Sequence, residues 1–121
     1  MDTRFNIIDT DYLAGYEGLI KDTLIKAGKN DWDEQIEQAI NNMLITYPNI
    51  KDFNNDGAIL LGVYYSLYFI FRYMSMDTED IFSQKSILYW NRFKELYNGM
   101  GVDTDGDGVF DNTSLNIDLM R

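Results

Sequence analysis

The sequence predicts an all-α fold, a four-helix bundle-like domain that runs into an aspartate-rich C-terminal loop. Three observations carry that expectation. Apolar residues recur at helical spacing in four separate segments. The chain holds a single proline, Pro48, so long helices can run uninterrupted almost everywhere. Its C-terminal part alternates aspartate with glycine, a pattern that neither a helix nor a strand tolerates. At 121 residues there is enough chain for one core and not for two. Residues 1–98 are read as the helical domain and 99–121 as an acidic tail.

Each helix has local signals. The first apolar residues, Arg4 to Ile8, are too few for a helix and read as extended. Asp9 or Thr10 can then cap a helix, because a side-chain oxygen satisfies a backbone N–H left free at its start. Leu13, Tyr16, Ile20, Leu24 and Ala27 form one helical stripe, and Gly28 stops it in the left-handed conformation glycine tolerates. Asn30 or Asp31 opens a second helix, with Glu34 as capping-box partner and Trp32, Ile36, Ala39, Ile40, Met43 and Tyr47 on its apolar face. Pro48 ends it. Asn49 to Gly57, with its Asn-Asn-Asp-Gly turn, reads as a surface loop. A third helix, Ala58 to Met74, is apolar all round, which marks a central helix or one shared with a neighbouring subunit. Asp77 or Thr78 caps a fourth, with Ile81, Leu88, Phe93 and Leu96 as core contacts. Phe82, Tyr89, Trp90 and Tyr97 help them, and Lys85, Arg92 and Lys94 sit on the opposite face. Gly99 and Gly101 are expected to end it.

Composition excludes several kinds of function. A net charge of −10 opposes binding to nucleic acid through phosphate neutralisation, although an acidic wall can let DNA pass without holding it. The chain has no cysteine and no histidine. That removes disulfides, thiolate nucleophiles, the usual zinc sites and the commonest general base, so an enzyme is not expected. No signal peptide is read in Met1 to Asp9. The fifteen uncharged residues between Asp56 and Arg72 span roughly 22 Å as a helix, short of the ~30 Å hydrocarbon layer, and read as core rather than membrane span. Asp31, Asp33, Glu34 and Glu37 read as capping and solvated carboxylates, and Asp52 to Asp56 as a plain turn. The aromatic run Tyr64 to Tyr73 reads as core rather than ligand pocket.

One segment carries the spacing of a metal site. With Asp103 as the first position of a calcium loop, Asp105 and Asp107 fall at the third and fifth, so three carboxylates converge. Gly108 takes the sixth, where the chain turns sharply. Val109 donates a backbone carbonyl from the seventh, and Asp111 the ninth, often through water. Hard oxygen donors in flexible geometry suit Ca2+ better than Mg2+. The departure is Ser114, where an EF-hand places a bidentate glutamate. Asp118 lies further on, and Leu115 to Arg121 is short for a second helix. The expectation is an EF-hand-like calcium loop that is structural rather than a switch.

The order of these segments resembles the head–tail connector (adaptor) proteins of tailed bacteriophages and prophages. The resemblance rests on the Tyr/Phe-rich helix Leu60 to Met74, the acidic turn Asp77 to Asp80, the helix containing Ile81-Phe82-Ser83-Gln84-Lys85 and Tyr89-Trp90-Asn91-Arg92-Phe93-Lys94-Glu95-Leu96-Tyr97, and the ending Val102-Asp103-Thr104-Asp105-Gly106-Asp107-Gly108. It covers approximately residues 10 to 111. It implies a virion protein, assembled in the host cytoplasm, that forms a homo-oligomeric ring between portal and tail proteins around the DNA channel and has no catalytic residues. The competing reading is a calcium-dependent docking module of a secreted or surface assembly, like half a dockerin.

Overall fold

The computed structural model describes residues 3–75 and 80–102, with Gly101 and Val102 described by their backbone alone. Asp103, Asp105, Asp107, Val109, Asp111 and Ser114 lie outside the described residues, as do Asp77 and Thr78. The described chain is helical, with no strand among its residues.

Thr3–Ile7 form a 3-10 helix where an extended segment was expected. The tighter winding turns Phe5 and Ile8 into the core together. Asp9 is the cap that the sequence announces: its carboxylate accepts the Tyr12 N–H at 2.8 Å and opens α1, Thr10–Ala14. The single long helix expected from Asp9 to Gly28 is instead two. The chain breaks over Gly15 to Gly18 and resumes as α2, Leu19–Ala27, where Glu17 Oε2 accepts the Leu19 N–H at 3.1 Å. Two glycines within four residues lower helix propensity enough for that local bond to win. Gly28 ends α2 with φ 68°, the left-handed cap the sequence implies.

Helix α3 spans Asp33–Thr46 and buries Ile36, Ala39, Ile40 and Met43. Asp31 turns the chain ahead of it by accepting the Asp33 N–H at 3.0 Å, so a capping box with Glu34 does not form. Pro48 ends α3 and begins a second 3-10 helix, Pro48–Asp52. The expected surface loop is therefore a packed connection: Ile50 and Phe53 are buried. Asn54 then caps α4, Asn55–Met74, by accepting the Gly57 N–H at 2.8 Å. Helix α5 is Ile81–Val102. Its cap is Asp80, whose Oδ1 accepts the Ser83 N–H at 2.7 Å, rather than Asp77 or Thr78. The helix continues through Gly99 and Gly101, the residues expected to end it.

Helix α4 is the axis of the fold. It packs against α5 on one side and α3 on the other, with the first 3-10 helix across it. By length and composition α4 is apolar enough to cross a membrane, and half of that stretch is buried in this fold. Gly62 is what lets the N-terminal 3-10 helix approach: a Cβ there would stand 2.9 Å from Ile8 Cδ1 and from Phe5 Cδ1, and 3.0 Å from Ile40 Cδ1. Arg4 locks the same contact from outside, donating to the carbonyls of Phe53 at 2.8 Å and Lys51 at 2.9 Å.

The α4–α5 seam is aromatic. Trp90 stacks on Phe93 at 5.6 Å between ring centroids, Phe93 on Tyr97 at 6.0 Å, and Tyr65 meets Phe93 edge-on at 5.2 Å. Such pairs contribute about 0.5–1.5 kcal/mol each beyond their buried area. The core face of α5 is rotated from the expected one. Tyr89 and Phe93 are buried, whereas Ile81 is 49% and Leu88 37% exposed.

Candidate functional site

The six predicted calcium ligands lie outside the described residues; the structure describes the helix that precedes them. Helix α5 runs to Val102, and Asp103 is the next residue in the chain. The last turns of α5 are anchored against the second 3-10 helix and the start of α4. Tyr97 OH donates to Asn49 Oδ1 at 2.8 Å, and its ring lies 4.8 Å from that of Tyr47 and 5.9 Å from that of Phe53. Met100 covers Gly57 so closely that a Cβ on Gly57 would collide with Met100 Cε. The last turn of α5 contains no basic residue. The negative end of the helix dipole is therefore followed in sequence by Asp103, Asp105, Asp107 and Asp111.

Among the described residues no cluster of three carboxylates is arranged to hold a metal. Asp31, Asp33, Glu34 and Glu37 are exposed, as read from sequence, but none caps α3, and Asp33 instead accepts from Thr10. Asp52 closes the second 3-10 helix and Asp56 sits in the first turn of α4.

A buried polar centre was not foreseen. Glu17, only 7% exposed, accepts from Tyr89 OH at 2.6 Å and from Lys85 Nζ at 2.9 Å through the same Oε1. It joins the α1–α2 break to the middle of α5. Burial pushes the Glu17 carboxyl upward, but the hydrogen bonds from Tyr89, Lys85 and the Leu19 N–H outweigh it and hold the group below the usual carboxylate range. Burial first, and the Glu17 carboxylate second, drive the Tyr89 phenol well above its ordinary value. Lys85 is thus half-buried and turned toward Glu17, not part of a fully exposed cationic face. One signal was legible: Glu17 sits between Leu13 and Ile20 on the core stripe, where an acid demands a buried partner. Its partners are 68 and 72 residues away, beyond reach of local pattern.

Arg72, Arg92 and Lys94 also engage the fold. Arg72 donates to Tyr68 OH at 2.6 Å, Arg92 lies 5.5 Å over the Tyr89 ring and Lys94 5.7 Å over Trp90. A second network fixes α2 to α3: Trp32 Nε1 donates to Thr23 Oγ1 at 2.8 Å, the Trp32 N–H donates to Thr10 Oγ1 at 2.7 Å, and Thr10 Oγ1 donates to Asp33 Oδ1 at 3.0 Å. These groups are satisfied by one another, so they build shape rather than chemistry.

A cleft of about 410 Å3 lies over the α4–α5 seam at Leu60, Tyr64, Arg92, Glu95 and Leu96. Among the other clefts on the described surface are two neighbouring ones. One, of about 340 Å3, lies between the N-terminal 3-10 helix and α3, with Phe5, Ile8, Ile36 and Ile40 as its floor. The other, of about 150 Å3, adjoins it and is lined by Asp9, Asp11, Asp31 and Asp33 with Lys21. Neither contains Glu17 or Tyr89.

Set against known protein families, characterised proteins and solved structures, the chain matches none.

Proposed function

We propose that this chain is a structural virion protein of the head–tail connector kind, a small helical adaptor that forms a ring between portal and tail and carries a structural Ca2+ in the loop from Asp103 to Ser114. One observation carries the reading: aromatic α5, packed on α4, runs as continuous helix to Val102, and the aspartate-glycine segment follows it directly in sequence. That is the entry half of a helix–loop calcium site. Its starting point is held by Met100 on Gly57 and by Tyr97 on Asn49. Asp103, Asp105 and Asp107 are the carboxylate ligands in this reading, with the Val109 carbonyl, Asp111 and Ser114 completing the set.

An adaptor of this kind works by presenting surface, not by turnover. Large apolar side chains stand exposed on several elements, among them Ile25, Ile45, Tyr73 and Ile87. The net charge of −10 suits a wall past which DNA slides without adhering.

The test is assembly. Purified chain, alone and mixed with a phage portal ring from the same genome, is followed by light scattering and negative-stain imaging, with and without Ca2+. Rings or portal-bound chains support the reading. A strictly monomeric chain in the presence of portal rejects it, and Ca2+-dependent capture on a bacterial surface scaffold in its place would establish the docking-module alternative.

A further inference from the structure

The α4–α5 seam is open on one side. The cleft of about 410 Å3 there is lined by Leu60 and Tyr64 of α4 and by Arg92, Glu95 and Leu96 of α5. Leu60, Tyr64 and Leu96 are each only partly buried, so apolar surface is open to a further stretch of chain. Leu88, 37% exposed, stands one turn before Arg92 on the same side of α5 and lengthens the apolar strip. The rim carries one charge of each sign. Arg92 lies 5.5 Å over the Tyr89 ring, and neither it nor Glu95 makes an ion pair among the described residues.

The chain carries a segment that matches this cleft in composition, charge and reach. Residues 115–121 include four large apolar side chains, Leu115, Ile117, Leu119 and Met120. Each rim charge has its opposite in the same segment, Asp118 for Arg92 and Arg121 for Glu95. Leu96 stands six residues before Val102, roughly 9 Å along the helix. The twelve residues from Asp103 to Ser114 span about 19 Å on average as a flexible tether, which is reach enough. A segment tied that closely to its site has an effective concentration of about millimolar, well above that of a second copy in dilute solution.

We infer that residues 115–121 dock across the α4–α5 cleft of their own chain, with the apolar side chains on Leu60, Tyr64 and Leu96 and with Asp118 beside Arg92. Burial of apolar surface gives the affinity, and the opposed charges give the orientation. The tether reaches with or without a cation in the Asp103–Ser114 loop, so the contact stands apart from both the calcium and the ring readings. It makes residues 115–121 a part of the helical domain rather than an appendage to it.

The chain has no cysteine, so a nitroxide on Asn116→Cys, a polar position within the segment, labels one site. Nuclear magnetic resonance of the full chain at low concentration, with and without Ca2+, reads the broadening of the Leu60 and Leu96 methyl signals. Broadening at both residues in either condition is the expected result, and Ile117→Asp removes it. Arg92→Glu and Asp118→Arg each lower the ratio of docked to undocked chain by about fivefold, and the double variant restores it. That rescue isolates the pair, because the double variant does not repair the lost contact of Arg92 with the Tyr89 ring. Leu60 unbroadened in both conditions overturns the inference. So does broadening that Ile117→Asp and Arg92→Glu leave unchanged, since it then reports the tether alone. Broadening in a mixture of nitroxide-bearing chains with isotope-labelled chains that lack the nitroxide places the segment on a second copy and overturns the inference as well.

Discussion

Replacing Glu17 tests whether the buried polar centre holds α5 to the N-terminal half. Glu17→Ala removes hydrogen bonds from Tyr89 at 2.6 Å, Lys85 at 2.9 Å and the Leu19 N–H at 3.1 Å. Bonds to a charged group contribute about 1.5–3 kcal/mol each, but not all of that is lost. The Lys85 side chain is 26% exposed and can turn its ammonium to water. The Tyr89 phenol, on a residue only 3% exposed, has no such exit, and stranding it costs about 1–3 kcal/mol. With the remaining packing loss, Glu17→Ala destabilises by about 2–4 kcal/mol, a fall in Tm of about 10 °C for a domain of this size. Urea unfolding followed by circular dichroism at neutral pH measures it. A double-mutant cycle with Tyr89→Phe isolates the pair, with an expected coupling of about 1–2 kcal/mol. A Glu17→Ala variant within about 0.5 kcal/mol of the wild type, or a coupling near zero, would refute the reasoning.

The same centre contributes to the pH dependence of stability, in opposite directions at its two ends. The folded Glu17 carboxyl titrates below its unfolded value, so its contribution is complete above about pH 4.3 and is lost as pH falls through the folded value. The folded Tyr89 phenol titrates above its unfolded value. Its contribution is complete below about pH 10 and is lost as pH rises beyond that, where the unfolded chain releases a proton the folded chain retains. Glu17→Gln therefore flattens the acid limb of the stability profile, and Tyr89→Phe flattens the alkaline limb. Unchanged limbs in both variants would place the pH dependence elsewhere.

Three further outcomes are expected. Arg4→Ala destabilises by about 1–2 kcal/mol in urea unfolding, and Arg4→Lys recovers little, because one ammonium cannot reproduce a fork reaching the Phe53 and Lys51 carbonyls together. Gly62→Val costs about 2–3 kcal/mol by forcing Phe5 and Ile8 off α4, seen as early loss of hydrogen-exchange protection in residues 3–8. Terbium luminescence reports the Asp103–Ser114 loop: Asp105→Ala weakens binding by at least about tenfold, and an unchanged signal would sink the ligand assignment.

The parts of the fold legible in the sequence are those with local causes. Asp9 caps α1, Gly28 ends α2 with φ 68° and Pro48 ends α3, because each acts on backbone groups a few residues away. The orientation of α5 was not legible. Phe82, Tyr89, Phe93 and Tyr97 compete with Ile81, Leu88 and Leu96 around almost the whole helix, so periodicity leaves its face undecided. Tertiary contact decides it: the rings of α4 select Tyr89 and Phe93, and Lys85 turns inward because Glu17 waits there. The break at Gly15–Gly18 was hidden for a related reason. The apolar positions Leu13, Tyr16 and Ile20 keep helical spacing across it, and the Glu17 contacts to Leu19 and to α5 help repay the lost helical hydrogen bonds.

The persistence of α5 through Gly99 and Gly101 bears most on the proposed site. Two glycines in three residues each cost about 1 kcal/mol relative to alanine, so an isolated peptide would fray there. What opposes fraying is tertiary: Tyr97 is bonded to Asn49 and lies against Tyr47 and Phe53, and Met100 fills the space left by the missing side chain of Gly57. Gly57 is thus matched to Met100 across the α4–α5 seam, and the match holds the helix at a point three residues before Asp103. A calcium loop whose first ligand follows a pinned helix end loses less freedom on binding than one following a frayed end, and binds more tightly for that reason. Met100→Ala leaves every proposed ligand intact and removes only the pin. It therefore weakens terbium binding by several-fold, about 3–10-fold for roughly 1 kcal/mol of recovered chain freedom. Equal affinity in Met100→Ala and wild type would mean that the loop organises itself without help from the bundle.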